Sequence, residues 1–309
     1  MSEETAAESS PASNYFGLPE EFSSPENSRV AIVPCPYEAT TSYGKGTANG
    51  PAAILEASQQ VELFDDELWV EPHVVGIQTC NPIIMDAQTA EMENPFLPLQ
   101  EAIAPLVEFN KFPIILGGEH SLTLGAVKAC LGRYPDLSIL QVDAHADLRK
   151  SYEDKDYSHA CVSYHLYKTL PQPNITQVGI RNISKGEAEW MEEEQPNIHI
   201  FWARHQEKWN FSEIISTLSD NVYLTIDVDG LDSSLMPATG TPEPGGMNWY
   251  QLMDLIKQLC IRKNVVAADI VEYAPIDNFH APSFLCAKLM YKIIGYRFAL
   301  DLGVTKKYL

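Results

Sequence analysis

Short apolar, β-branched runs alternate with longer stretches of helical period along most of this chain. The runs Val30–Val33, Pro113–Leu116, Leu137–Val142, Ile175–Ile180, Ile198–Trp202, Val222–Val228 and Val265–Val271 predict strands. Several are apolar at successive positions, as a strand of a parallel sheet covered on both faces must be. Between them, "NGPAAILEASQQVELF" predicts a helix with Pro51 in its first turn. A second helix follows "GGEHSLTLGAVKACL", and "NWYQLMDLIKQLC" predicts a third. This alternation predicts a single α/β domain with a mainly parallel sheet. Residues 1–27 are polar and rich in Pro, Ser and Glu; they read as a flexible N-terminal extension, or a strap over a neighbour, before a domain at 28–309. "SYGKGT" has the flavour of a phosphate loop. It fails because Ala39 stands where the first Gly should be and Gly46, not Ser or Thr, follows Lys45.

Four of the predicted strands end in charged groups. "FPIILGGEH" ends in Glu119 and His120, "LSILQVDAHAD" in Asp143, His145 and Asp147, "VYLTIDVDGLD" in Asp227 and Asp229, and "VVAADIVEYAP" in Glu272. Ligands of open α/β sheets bind outside the C-terminal ends of strands, and residues two apart on a strand point the same way. Any one of these signals has a bland explanation, such as a capped turn or a helix start. Together they place four Asp carboxylates in one crevice, an arrangement that needs a cation. The candidate donors are carboxylates and imidazoles without thiolate, too oxygen-rich for a structural zinc site. Mn²⁺ suits them best, with Mg²⁺, Fe²⁺, Co²⁺ and Zn²⁺ as alternatives. Six ligand residues suit two ions about 3.5–4 Å apart that share bridging carboxylates.

Composition narrows the partners. The 309 residues carry a net charge of −21, which argues against nucleic acid and against an anionic membrane surface. A cationic small molecule fits this field better. Six scattered cysteines without a C-x-x-C pair read as reduced thiols, and no signal peptide or apolar span is apparent, so the expected location is cytoplasmic.

The motifs "GGEHS", "DAHADLR", "YSHACV", "DVDGLD", "TGTPEPGG" and "DIVEYAP" occur in the order seen in the ureohydrolase family of arginase and agmatinase. The sequence resembles that family from about Arg29 to about Tyr296, including "PYEATTSYGKGTANGPAAI". The resemblance implies an arginase-like, three-layer α/β/α fold and a homo-oligomer, trimer or hexamer. It implies two Mn²⁺ ions, one on His120, Asp143, Asp147 and Asp227, the other on Asp143, His145, Asp227 and Asp229. It further implies hydrolysis of a guanidino compound to urea and an amine, with Glu272 holding the guanidinium, His159 transferring a proton and Ser158 beside them at the substrate.

Within the family the sequence is most similar to agmatinase, which would make putrescine in polyamine biosynthesis. The segment "LRKSYEDKDYSHA" lacks the Ser, Gly and Asn signature of arginase-like head-group loops, and "FDDELW" is agmatinase-like. Glu153, Asp154 and Asp156 are expected to favour the ammonium end of agmatine. Ser233 stands where the family usually has Pro, which bears on the following loop. The alternatives are guanidinobutyrate, guanidine or arginine as substrate, or a catalytically silent member acting as a binding subunit.

Overall fold

The computed structural model describes residues 14–85 and 94–309. Its centre is an eight-stranded sheet: β1 (Val30–Cys35), β2 (Ile77–Thr79), β3 (Phe112–Gly117), β4 (Ser138–Val142), β5 (Ile175–Ile180), β6 (Ile198–Trp202), β7 (Asn221–Asp227) and β8 (Asn264–Val271). The order across the sheet is β2-β1-β3-β8-β7-β4-β5-β6, and every pairing is parallel. Each expected strand is present to within a few residues at its ends; the three-residue β2 is too short to carry a period and was not expected.

Nine described helices cover the sheet: α1 (Glu20–Ser23), α2 (Gly50–Ser58), α3 (Leu97–Glu108), α4 (Thr123–Leu131), α5 (Val162–Thr169), α6 (Lys185–Glu194), α7 (Phe211–Ser216), α8 (Trp249–Arg262) and α9 (Ala281–Phe298). One face of the sheet packs on α2, α7, α8 and α9, the other on α3, α4, α5 and α6. The strands feed both cores by alternation: Ile114 and Leu116 enter the first, Ile115 the second. This is the three-layer α/β/α arrangement. Pro51 sits in the first turn of α2, and Asn248 with Gln251 closes a capping box on α8.

Packing begins ahead of residue 28. Tyr15 is fully buried and its hydroxyl donates to the Ala287 carbonyl of α9 at 2.8 Å, while the Phe16 N–H donates to Ser58 Oγ at 2.9 Å. Below this contact Lys292 of α9 is buried against Asp65, with Nζ 3.0 Å from both carboxylate oxygens and 2.7 Å from Glu67 Oε2. No described helix is long and apolar enough to cross a membrane.

Candidate functional site

The strands β3, β8, β7 and β4 are contiguous at the middle of the sheet, so the four charged strand ends lie side by side. The chain passes from β3 to β4 across β8 and β7, which makes this the switch point at which a crevice opens. Local sequence shapes the turns. A Cβ on Gly118 would lie 1.9 Å from the Tyr37 carbonyl oxygen, so only glycine lets the end of β3 lie against the loop after β1. Asp147 (φ 52°) and Glu272 (φ 62°) hold left-handed backbone, a strain of about 1–3 kcal/mol each that the surrounding packing must sustain.

The side chains converge. His120 Nδ1 lies 3.1 Å from Asp143 Oδ2, 3.3 Å from Asp147 Oδ2 and 3.5 Å from Asp227 Oδ2. His145 Nδ1 lies 3.0 Å from Asp229 Oδ2 and 3.7 Å from Asp143 Oδ1. Two groups could hold a metal ion, His120 with Asp143 and Asp147, and Asp143 with His145 and Asp229; Asp143 belongs to both. Around them sit partners that local sequence reading had not singled out. His120 Nε2 is 2.8 Å from Thr225 Oγ1, and Gln141 Nε2 donates to Asp143 Oδ2 at 2.8 Å. Asp227 Oδ1 accepts the Asp229 N–H at 2.9 Å, and Asp229 Oδ1 accepts the Ala144 N–H at 3.0 Å.

Electrostatics mark this as a site short of positive charge. Burial pushes Asp227 well above the usual carboxylate range, and the neighbouring Asp229 and Asp143 push it further. Burial and then the Asp143 charge move Asp147 up to about 7. Burial opposes charge on His145, but its hydrogen bonds with Asp143 and Asp229 outweigh that and raise it to about 12. His120 moves upward for the same reason, through Asp143, Asp147 and Asp227. The imidazoles are thus drawn into serving as the missing cations.

Above the cluster a cavity is lined by His120, His145, Asp147, Asp227, Asp229, Glu272 and His159 at its base and by Tyr43, Tyr152 and Asn182 among others toward its mouth. Glu272 is buried, and its Oε1 accepts the His120 N–H at 2.6 Å. His159 begins the turn before α5, and burial lowers it to about 4, with further lowering by His120 and His145. Ser158 is buried behind His159, its Oγ 3.3 Å from Nδ1, and does not line the cavity; its contact is with the imidazole. Glu153, Asp154 and Asp156 are exposed and do not line it either. Their segment turns outward at left-handed Glu153 and Asp154, and Lys155 reaches across to the Ala39 carbonyl at 2.9 Å instead. The loop that follows Ser233 meets the loop after β1 through Gly44 and Gly240, where the Gly44 N–H donates to the Gly240 carbonyl at 3.2 Å.

A parallel α/β sheet with paired His/Asp groups in its central crevice defines an enzyme fold whose site could hold metal ions. The chain belongs to the arginase family of ureohydrolases, whose model matches residues 28–295. It is 39% identical over 284 residues to N(1)-aminopropylagmatine ureohydrolase of Synechocystis sp., covering 90% of this chain and 92% of that one. It is 36% identical over 253 residues to agmatinase of Bacillus cereus, covering 81% and 85%. Among solved structures it is similar to the agmatine ureohydrolase of Thermoplasma volcanium, with a TM-score of 0.79, 29% identity and coverage of 89% and 92%.

Proposed function

We propose that this protein hydrolyses agmatine, or an agmatine carrying an extended amine tail, to urea and the corresponding amine, using two divalent ions. The observation that carries the reading is His120 Nδ1. It is buried without a well-formed hydrogen bond while three carboxylate oxygens stand within 3.5 Å of it. A buried imidazole nitrogen among three buried carboxylates calls for positive charge at that point, and a divalent cation supplies it with all four groups as ligands.

On this reading His120, Asp143, Asp147 and Asp227 hold one ion, and Asp143, His145, Asp227 and Asp229 hold the other. Membership of Asp143 in both clusters supports the sharing. The oxygen-rich donor set favours Mn²⁺. When bound, the ions supply Lewis-acid activation of the attacking water. Glu272, with Oε1 fixed by the His120 N–H, orients the guanidinium as a buried counter-charge. His159 moves the proton that the departing amine requires. Burial keeps water from competing for these groups.

The tail argument has a narrower basis. No arginase-type head-group loop follows Asp147, and agmatinases are among the similar proteins. The relatives that act on N(1)-aminopropylagmatine support an extended tail as the second reading. The solvent-facing position of Glu153, Asp154 and Asp156 removes loop acidity as a reason for either. Urea release from agmatine, N(1)-aminopropylagmatine, guanidinobutyrate, guanidine and arginine, after Mn²⁺ loading, tests the proposal. Arginine as the best substrate would overturn the choice of tail, and no urea from any of them would overturn the activity.

A further inference from the structure

The hydrogen bonds behind His159 run in one direction. Glu119 is fully buried, one residue before His120, and is surrounded by donors. Its Oε2 accepts the Ala39 and Thr40 N–H groups, each at 2.6 Å; its Oε1 takes Thr40 Oγ1 at 2.8 Å and Ser121 Oγ at 2.5 Å. Backbone N–H groups can only donate, so Oε2 is committed as an acceptor. With two backbone donors on Oε2 and two hydroxyls at Oε1, Glu119 serves as the common acceptor, and the Thr40 hydroxyl points its only hydrogen at Oε1. Its two lone pairs then meet two groups of one residue, the His159 N–H at 3.0 Å and the His159 Nδ1 at 3.1 Å. Since Thr40 has no further hydrogen to give, the ring must give one. Ser158 Oγ, at 3.3 Å, is the longer contact of Nδ1. Among the described residues nothing hydrogen-bonds Nε2, and His159 lines the cavity.

Resting on the function proposed above, we propose that Thr40 and Glu119 are positioning residues: they place the His159 proton on Nδ1 and leave Nε2 as the nitrogen that exchanges a proton with the substrate. Thr40 belongs to the loop after β1, Glu119 to the end of β3 and His159 to the turn before α5. The relay therefore also ties the first wall of the cavity to its proton-transfer group. The fit depends on Gly118, which brings the Glu119 N–H to 2.8 Å from the Tyr37 carbonyl. Such a tie restricts the imidazole to one orientation without touching the reacting atoms.

Glu119→Gln makes the sharpest test, because it reverses the relay. The two backbone donors force the amide oxygen into the Oε2 position, which puts the NH₂ against Thr40 Oγ1. Thr40 must then accept from the amide and donate to Nδ1, and the ring proton moves to Nε2. Long-range ¹H–¹⁵N correlation spectra of histidine-labelled protein, loaded with diamagnetic Zn²⁺, report which nitrogen is protonated. The expected result is Nδ1 in the unmodified protein and Nε2 in Glu119→Gln. With Mn²⁺ and the best substrate, kcat should fall about 10²–10⁴-fold, the range for a misplaced general acid–base proton, with KM within about 3-fold. Thr40→Val, which keeps the backbone donors, should lower kcat at least about 10-fold, and Thr40→Ser should restore it. A ring proton on Nε2 in the unmodified protein, or on Nδ1 in Glu119→Gln, would overturn the relay. So would a Thr40→Val enzyme with unchanged kcat. If no guanidino compound yields urea, the functional reading is lost while the tautomer measurement still decides the relay.

Discussion

Replacing Thr225 by Val should weaken one of the two proposed ions and leave the other nearly intact. Thr225 lies on β7, two residues before Asp227, and its Oγ1 is 2.8 Å from His120 Nε2. Only when Nε2 carries the proton and donates to this hydroxyl is Nδ1 free to face Asp143, Asp147 and Asp227. Val has nearly the same shape but accepts no hydrogen bond. The imidazole would then keep a buried N–H without a partner, or move its proton to Nδ1 and cease to be a ligand. Losing such an outer partner weakens metal binding about 10–100-fold, or roughly 1.4–2.7 kcal/mol. His145 is unaffected, since its contacts are with Asp143 and Asp229 and none is with Thr225. Titration of the metal-free protein with Mn²⁺, followed by calorimetry and by return of urea release, resolves the two affinities. One should fall by that factor and the other by less than about 3-fold. Equal weakening of both, or no change in either, would refute the tautomer argument for His120.

Asp143→Asn should lower metal content at both positions and abolish urea release, whereas His145→Asn should affect one; metal analysis of the two variants makes the comparison, and greater damage from His145→Asn would contradict the shared role of Asp143. Glu272→Gln should lower kcat/KM about 10–150-fold with two ions retained, the loss of one charge-assisted guanidinium contact. Lys292→Met should destabilise the fold by about 3–5 kcal/mol in denaturant titrations, because it strands the buried Asp65 carboxylate. Burial and the Asp143 charge raise Asp147 from an ordinary 3.8 to about 7 in the folded protein without metal, so this group detracts increasingly from stability as pH rises from about 4 to 7. Mn²⁺ should therefore raise Tm more at pH 7.5 than at pH 5.5, and an equal gain at both would count against this site as the place of binding.

The strand ends were legible because each joins an apolar run to charged groups at its C-terminal end, at spacing two in Asp143/His145/Asp147 and Asp227/Asp229, and because four coincide. His120, Asp143, His145, Asp147, Asp227, Asp229 and Glu272 were found in this way, and the sheet brings them together. Thr40, Thr225 and Gln141 carry no such signal. Their partners lie far along the chain or, for Gln141, one pleat away inside an apolar run, and a single Thr or Gln looks the same whether it orients a histidine or faces solvent. Glu119 was visible as a charged strand end, but its partners Ala39 and Thr40 are 80 and 79 residues distant. The opposite failure occurred at Glu153, Asp154 and Asp156, where composition says nothing about the direction in which a turn faces. At the N-terminus, polar neighbours hid Tyr15, whose burial depends on α9 more than 260 residues later.

The order of strands has a consequence for how the protein comes into being. β8 is the last strand to leave the ribosome, yet it lies between β3 and β7 at the centre of the sheet. Until it inserts, β3 and β7 each present an open edge of unpaired backbone in a hydrophobic setting. A nascent chain can prepare two half-sheets, but it cannot join them. Glu272 is carried in by that same strand, and its carboxylate then reaches the His120 N–H. Assembly of the catalytic crevice is thus coupled to the final closing step of a slow, long-range parallel sheet. A chain truncated before residue 264 would have two sticky surfaces and no Glu272 in the crevice, so premature termination would yield aggregate without partial activity.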